Sequence, residues 1–309
     1  MIVDAHAHVA GTDHLPERFL AGWADNVRAA AADPDRCDAA GVRELLRGAT
    51  TDPGCRDLLA QMAEAGIDLA VLLVVDFSVA MPETAEAVER AHREVATLIA
   101  DRRLAGFAGI DPRRGSAGVD HVRRSLRDEG FAGVKLYPPC GYSPSDPALF
   151  PLYEVCAERR APVLVHTGPT SPCLSFRHTH PMDVDDAACR FPEVPFVLGH
   201  GASVWHEDAA LLAEFRPNVH LDMSGFQPAW RRGDLAAVLG HHVRRGLHRK
   251  LVFGTDWPVY RLFGSQRDWV VAVSQTLQDL GCTADQVEDV LGRNMLRLLR
   301  RTETGGAAR

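Results

Sequence analysis

Residues able to bind a metal fall at particular places in this chain. The first group is Asp4-Ala5-His6-Ala7-His8. In an extended strand residues i and i+2 share a face, so His6 and His8 project together. Further on, short apolar runs end in polar residues: His166 closes VLVH, His200 closes FVLGH and Asp256 closes VFGTD. Lys135 sits in GVKLYP, and Asp222 and Ser224 sit in HLDMS. Two or three imidazoles with a carboxylate suit Zn²⁺ or a similar divalent ion and leave a position for water. Such an ion lowers the pKa of its bound water from about 16 to about 7 and polarises a carbonyl oxygen. A carboxylate beside that water can take its proton and pass it to a leaving group.

The elements that must position these groups are short apolar runs alternating with helical patterns. The runs are Met1–Ala7, Leu69–Asp76, Leu104–Asp111, Gly133–Tyr137, Val163–His166, Phe196–His200, Val219–Ser224 and Leu251–Asp256. Each is bounded by Gly, Pro or Asp and reads as a buried parallel strand. Between them lie amphipathic stretches: Thr84–Asp101, Ser116–Glu129, Pro147–Arg159, Trp205–Phe215, Arg231–Arg245 and Ser265–Leu280. A last helix, Thr283–Arg301, opens with the capping-box spacing Thr-Ala-Asp-Gln. Eight strands alternating with helices predict an α/β fold, the (β/α)₈ TIM barrel, whose active sites lie at the carboxyl ends of the strands. Residues 11–55 are long for a first connection and predict a helical insertion over the barrel mouth. The alternative, an open doubly wound sheet, lacks a GxGxxG after its first strand. No repeat or linker divides residues 1–309, which predicts a single domain.

Composition agrees with an ordinary globular enzyme. The 309 residues are 46% apolar and 24% charged, with a net charge of −7. That disfavours nucleic acid or an anionic membrane as partner and leaves a small-molecule substrate. The longest apolar run, Leu69–Val75, is far short of the roughly 20 residues of a membrane span. The N-terminus lacks the basic and apolar regions of a signal peptide. Seven scattered cysteines without CxxC fit a reducing cytoplasm.

The motifs DAHAHV, GVKLYPP, VLVHTG, FPEVPFVLGHGA, NVHLDMSG, LVFGTDWP and VLGRNMLRLL run in order along nearly the whole chain. Together they resemble the amidohydrolase superfamily, in particular the amidohydrolase-related branch that includes the aminocarboxymuconate-semialdehyde decarboxylase relatives. The resemblance implies that His6, His8, His166 and Asp256 bind one catalytic metal, usually zinc and sometimes manganese. It implies that His200 stands beside the metal-bound water or substrate as an acid/base or polarising group, and that Asp256 is both ligand and proton acceptor. In binuclear members a carboxylated strand-four lysine bridges two metals and the strand-six histidine binds the second. Lys135 and His200 therefore leave a second metal, or a substrate contact, open; one metal is expected. A homodimer is common in the branch.

Other residues have a functional and a plain reading. Asp4 is either a structural acceptor or an orienter of a histidine. Arg177, with His178 and His180, lies in the loop after strand five and is the candidate to bind a carboxylate, or else a solvated arginine. Trp257, Tyr137, Tyr260, Trp205 and His206 follow the polar strand ends and either wall a pocket or simply pack. His241, His242 and His248 lie in an arginine-rich helix and read as a solvated face. His14, His92, His121 and His220 have no spacing partner. Cys140 and Cys173 lack a His/Asn dyad, and GASVW lacks the GxSxG frame.

The expected activity is hydrolysis of an amide, lactone or related C–N or C–O bond. The alternative is nonoxidative decarboxylation of an aromatic or dienoic acid. Decarboxylase relatives often carry GHxGE, whereas this chain has Gly199-His200-Gly201-Ala202-Ser203. A barrel without chemistry is disfavoured because every ligand position is filled.

Overall fold

The computed structural model describes residues 1–11, 15–202 and 205–305; His14 and Ser203 lie outside them. Eight parallel strands pair in chain order. They are β1 (Ile2–His8), β2 (Ile67–Leu73), β3 (Leu104–Gly109), β4 (Gly133–Leu136), β5 (Val163–His166), β6 (Phe196–Gly199), β7 (Val219–Asp222) and β8 (Leu251–Val252). The helices are α1 (Glu17–Ala29), α2 (Ala39–Ala49), α3 (Arg56–Ala65), α4 (Ala85–Leu98), α5 (Gly115–Asp128), α6 (Phe150–Arg159), α7 (Asp185–Arg190), α8 (His206–Phe215), α9 (Gln227–Arg232), α10 (Leu235–Arg244), α11 (Gln266–Asp279), α12 (Ala284–Glu288) and α13 (Asn294–Gly305). Among the described residues no helix is long and apolar enough to cross a membrane. The alternation of strand and helix makes the expected (β/α)₈ barrel.

Strand parity decides what faces the barrel axis. On β4, β5 and β7 the residues Val134, Leu136, Val163, Val165, Val219 and Leu221 join the core beneath the helices. Side chains alternate along a strand, so Lys135, His166 and Asp222 take the opposite, inner face. Leu164, Val197 and Val252 share an inner cluster with Met295 and Leu298 of α13.

The barrel closes through a seam rather than a long ladder. β8 is regular over only two residues. Beyond it, Ala5 N donates to Phe253 O (2.8 Å), Asp256 N to His6 O (2.7 Å) and His8 N to Trp257 O (2.7 Å). Asp4, fully buried, accepts from His6 N (3.0 Å), Thr255 N (2.9 Å) and Thr255 Oγ1 (2.5 Å). Of its two readings, Asp4 thus takes the structural one: it ties the two chain segments that carry His6 and Asp256. Burial raises its pKa to about 7, against the lowering effect of the Thr255 hydrogen bonds.

Two helices, α1 and α2, fill the insertion expected after β1. They share a small core of Leu20, Ala24 and Leu46. Glu17 and Arg47 pair across them. Ser171 Oγ donates to Phe19 O (2.8 Å), resting α1 on the loop after β5.

The helix expected over Arg231–Arg245 is two helices, because Gly233 takes a left-handed φ of 85° and ends α9. The capping box of Thr283 and Gln286 is present, but the following helix is interrupted by a π turn at Asp289–Arg293. The reading of His241 and His242 as a solvated face is corrected at His242. It is fully buried, packed against Phe226, His206 and His241. His92 is a satisfied core histidine, held by Val88 O (2.9 Å) and Gly109 (3.1 Å).

Burial, with His241 and His206 adding, lowers His242 from 6.5 to about 3. The folded chain therefore holds it neutral, while the unfolded chain takes up a proton near 6.5. Its contribution to stability is full above that value and is lost as pH falls toward 3, by about 2 kcal/mol at pH 5. Replacing His242→Leu is expected to shrink the drop in melting temperature between pH 7.5 and 5. A drop as large as that of the parent protein would show that His242 is not the acid-sensitive group.

Candidate metal centre

The β1–β8 seam brings three donors together. His6 Nε2 and His8 Nε2 lie 3.3 and 3.2 Å from Asp256 Oδ1, and all three residues are buried. The other nitrogen of each ring is committed. His6 Nδ1 donates to Asp222 Oδ2 at 2.6 Å, and His8 Nδ1 donates to Leu73 O at 3.2 Å. A carbonyl and a carboxylate only accept, so they assign the proton to Nδ1 and leave the Nε2 atoms facing Asp256 as candidate ligand atoms. Burial, with the Lys135 ammonium next, holds His6 well below its ordinary value and so neutral. Burial alone would raise Asp256. The adjoining His6, His8 and His200 rings outweigh it and hold the carboxyl well below the usual range. A neutral His6 and an ionised Asp256 are the forms a divalent cation requires.

Asp222 organises the neighbouring layer. Besides His6 it accepts from His200 N (3.0 Å), Ser224 N (2.9 Å) and Ser224 Oγ. Gly254 makes room for it: a Cβ there would stand 2.2 Å from Asp222 Oδ1. Ser224 Oγ also reaches His200 Nδ1 at 3.1 Å. His200 Nε2 lies 3.0 Å from His166 Nδ1, and His166 Nε2 lies 3.1 Å from Pro169 O. The Pro169 carbonyl only accepts, so His166 carries its proton on Nε2, and His200 Nε2–H donates to the His166 Nδ1 lone pair. Burial lowers both histidines. His200 and Asp256 have φ of 70° and 55°, the left-handed region, which costs a residue with a side chain about 1–2 kcal/mol. Such strain concentrates at functional sites.

Lys135 Nζ is buried 3.4 Å from His6 Nε2. Among the described residues no carboxylate lies within ion-pair distance of it. Burial lowers it to about 8, and Asp256 and Asp222 act against that lowering. Neither Asp222 nor another acid among the described residues pairs with Lys135 to tie the barrel end together. Lys135 faces the His6–Asp256 cluster.

A cavity of about 440 Å³ lies over His8, His166, His200 and Asp256. Tyr137 and Tyr260 line it, and Tyr137 Oη lies 2.9 Å from Thr170 Oγ1. Two expected pocket residues are elsewhere. Arg177 is exposed and does not line the cavity. Trp257 turns away from it: its Nε1 donates to buried Asp52 (3.2 Å), and Arg261 lies over its ring. Burial pushes the Cys140 thiol far up, consistent with a residue that is no nucleophile. The outer wall, Phe19 and Trp23 of α1, was not foreseen. Its signal was the fourfold spacing of Leu15, Phe19, Trp23 and Val27.

A family model described as Amidohydrolase matches residues 3–301. The chain belongs to the amidohydrolase family. No curated protein matches it. Solved structures share the barrel. The 5-carboxyvanillate decarboxylase of Sphingomonas paucimobilis is 16% identical, with 97% of this chain and 98% of that one covered and a TM-score of 0.65. The 2,6-dihydroxybenzoate decarboxylase from Rhizobium is 17% identical, covering 97% and 98%, with a TM-score of 0.63. A 5-carboxyvanillate decarboxylase from Novosphingobium aromaticivorans, with bound manganese and 3-methoxy-4-hydroxy-5-nitrobenzoic acid, is 13% identical, covering 97% and 97%, with a TM-score of 0.70.

The geometry makes His6 and Asp222 separable by experiment. His6→Ala is expected to abolish tight divalent-ion binding in a calorimetric titration with Mn²⁺ or Zn²⁺. Asp222→Asn, which removes only the orienting carboxylate, is expected to weaken it about 10- to 100-fold. Parental affinity in the Asp222 variant would remove that residue from the site.

Proposed function

We propose that this amidohydrolase-family chain is a divalent-metal-dependent, nonoxidative decarboxylase of small aromatic carboxylic acids. The observation that carries the reading is the distribution of polarity around the cavity. Its ionisable lining, His8, His166, His200 and Asp256, gathers at one end, and the described walls carry no lysine or arginine. An acid entering such a space has one place to leave its carboxylate, the cluster itself. The decarboxylases of the same fold support this over hydrolysis. The absence of a glutamate at position 203, where the sequence has Ser203, remains the sequence argument for hydrolysis, an outcome the experiment below separates.

In this reading His6 Nε2, His8 Nε2 and Asp256 Oδ1 would hold one ion, zinc or manganese; His166 Nδ1, the fourth ligand expected from the sequence, would join them only by giving up its hydrogen bond from His200 Nε2. When bound, the ion supplies positive charge for the acid's oxygens and draws electron density from the ring. Asp222 keeps His6 in its ligand tautomer, and Lys135, outside the cavity lining, adds positive charge behind His6. The reaction breaks the bond between ring carbon and carboxylate. CO₂ departs, and one proton replaces it on the ring carbon. His200 Nδ1 and Asp256 Oδ2, 4.0 Å apart, are the groups placed to pass that proton. An incoming carboxylate raises the proton affinity of both, because like charge nearby disfavours the anion and favours the imidazolium.

With metal-loaded protein, hydroxybenzoates are expected to release CO₂ and, in D₂O, to give product with one deuterium at the vacated carbon. Asp256→Asn and His200→Ala are each expected to lower kcat at least about 10²-fold, the range of a lost general acid. Turnover of lactones or amides with no CO₂ from any acid would overturn the reading in favour of hydrolysis. Metal analysis is expected to give one equivalent per chain; two equivalents with a carboxylated Lys135 would replace the mononuclear site by a binuclear one.

A further inference from the structure

The cavity is much larger than one benzene ring needs. An apolar cavity of roughly 150 Å³ holds a benzene, and the space here is about 440 Å³. A wall of aromatic rings runs its length. Phe19 and Phe77 have centroids 5.8 Å apart, Phe77 and Tyr137 5.5 Å, and Tyr137 and His166 4.5 Å. These spacings match favourable aromatic pairing, and they lead from α1 inward to the histidines.

Helix α1 builds the outer part. Phe19, Trp23 and Val27 follow one another at four-residue spacing and so lie on one face. That face lines the cavity, while Leu20 and Ala24 pack toward Leu46 of α2. The outer wall is therefore apolar by construction. Asn26 is the polar side chain that α1 places there, and no lysine or arginine is among the described lining residues. A second carboxylate on the substrate would gain no cationic partner in this region and would set its charge against apolar side chains, Phe19 and Trp23 among them.

We propose that the site selects aromatic monocarboxylic acids of two-ring size, with the second ring against Phe19, Trp23 and Val27, and rejects ring dicarboxylates. The proposal rests on the preceding reading only in placing the acid group at the His8–Asp256 end.

The test is equilibrium binding to the metal-loaded protein, followed by tryptophan quenching and calorimetry, so that turnover plays no part in the readout. The probes are 1-hydroxy-2-naphthoate, salicylate and 4-hydroxyisophthalate. The naphthoate is expected to bind at least tenfold tighter than salicylate, and the isophthalate at least tenfold weaker than salicylate. Val27→Trp fills the outer space from an exposed position on α1. It is expected to remove the naphthoate's advantage while leaving salicylate affinity within twofold. Phe19→Ala is expected to weaken the naphthoate about fivefold and salicylate little. Salicylate binding as tightly as the naphthoate, the isophthalate matching salicylate, or Val27→Trp weakening both monoacids alike would each overturn the proposal. Tight naphthoate binding with no CO₂ from any acid overturns the decarboxylase reading and leaves this one standing. CO₂ release from salicylate without a naphthoate preference does the reverse.

Discussion

One carboxylate in the middle of the barrel, Asp222, accepts hydrogen bonds from a His6 ring nitrogen, the His200 backbone, and the backbone and hydroxyl of Ser224. A fully buried anion is stable only when its lone pairs are taken up this way. The fold around it serves that requirement. β7 delivers the carboxylate on the inner face, Gly254 leaves out the side chain that would collide with it, and the turn after β6 bends through a left-handed His200 to offer its N–H. In return Asp222 sets which nitrogen of His6 faces Asp256. The arrangement that makes the cluster a candidate metal site follows from this one interaction.

The seam between β1 and β8 is the second constraint. The strand ladder is short there, and backbone bonds at Phe253, Asp256 and Trp257, reinforced by Asp4, hold the edges together. The bond from Asp256 N to His6 O that helps close the barrel also sets the Asp256 carboxylate beside His6 and His8. Closure and the placement of these candidate ligands are the same event. The outer layer is built differently: α1 and α2 have a small core of their own and touch the barrel at loops. That division leaves the walls of the cavity free to differ without disturbing its floor.

Much of this was legible in the chain. Continuous β-branched runs ending in His or Asp give strands with chemistry at one end, because parallel strands are buried on both faces. Parity then puts Lys135, His166 and Asp222 on one surface. The element ends were less legible. Asp76 and Asp256 were expected inside strands, yet both lie where side-chain and loop hydrogen bonds have replaced the ladder. Gly233 divided a helix whose apolar pattern alone gave no reason to stop.

The sequence by itself determined the barrel, the set of donor residues and the strand ends that present them, since these depend on local apolar periodicity and on residue type. Only the tertiary structure decided the rest. The free nitrogen of His6 depends on Asp222, 216 residues away. Trp257 leaves the cavity because Asp52 takes its N–H. His242 is buried because α10 packs on neighbours that its own sequence does not name. The cavity takes its length and apolar wall from α1, whose fourfold stripe acquires meaning only when the helix is laid across Phe77. Each is a contact between segments far apart in the chain, and such contacts are set by packing and hydrogen-bond satisfaction rather than by local propensity.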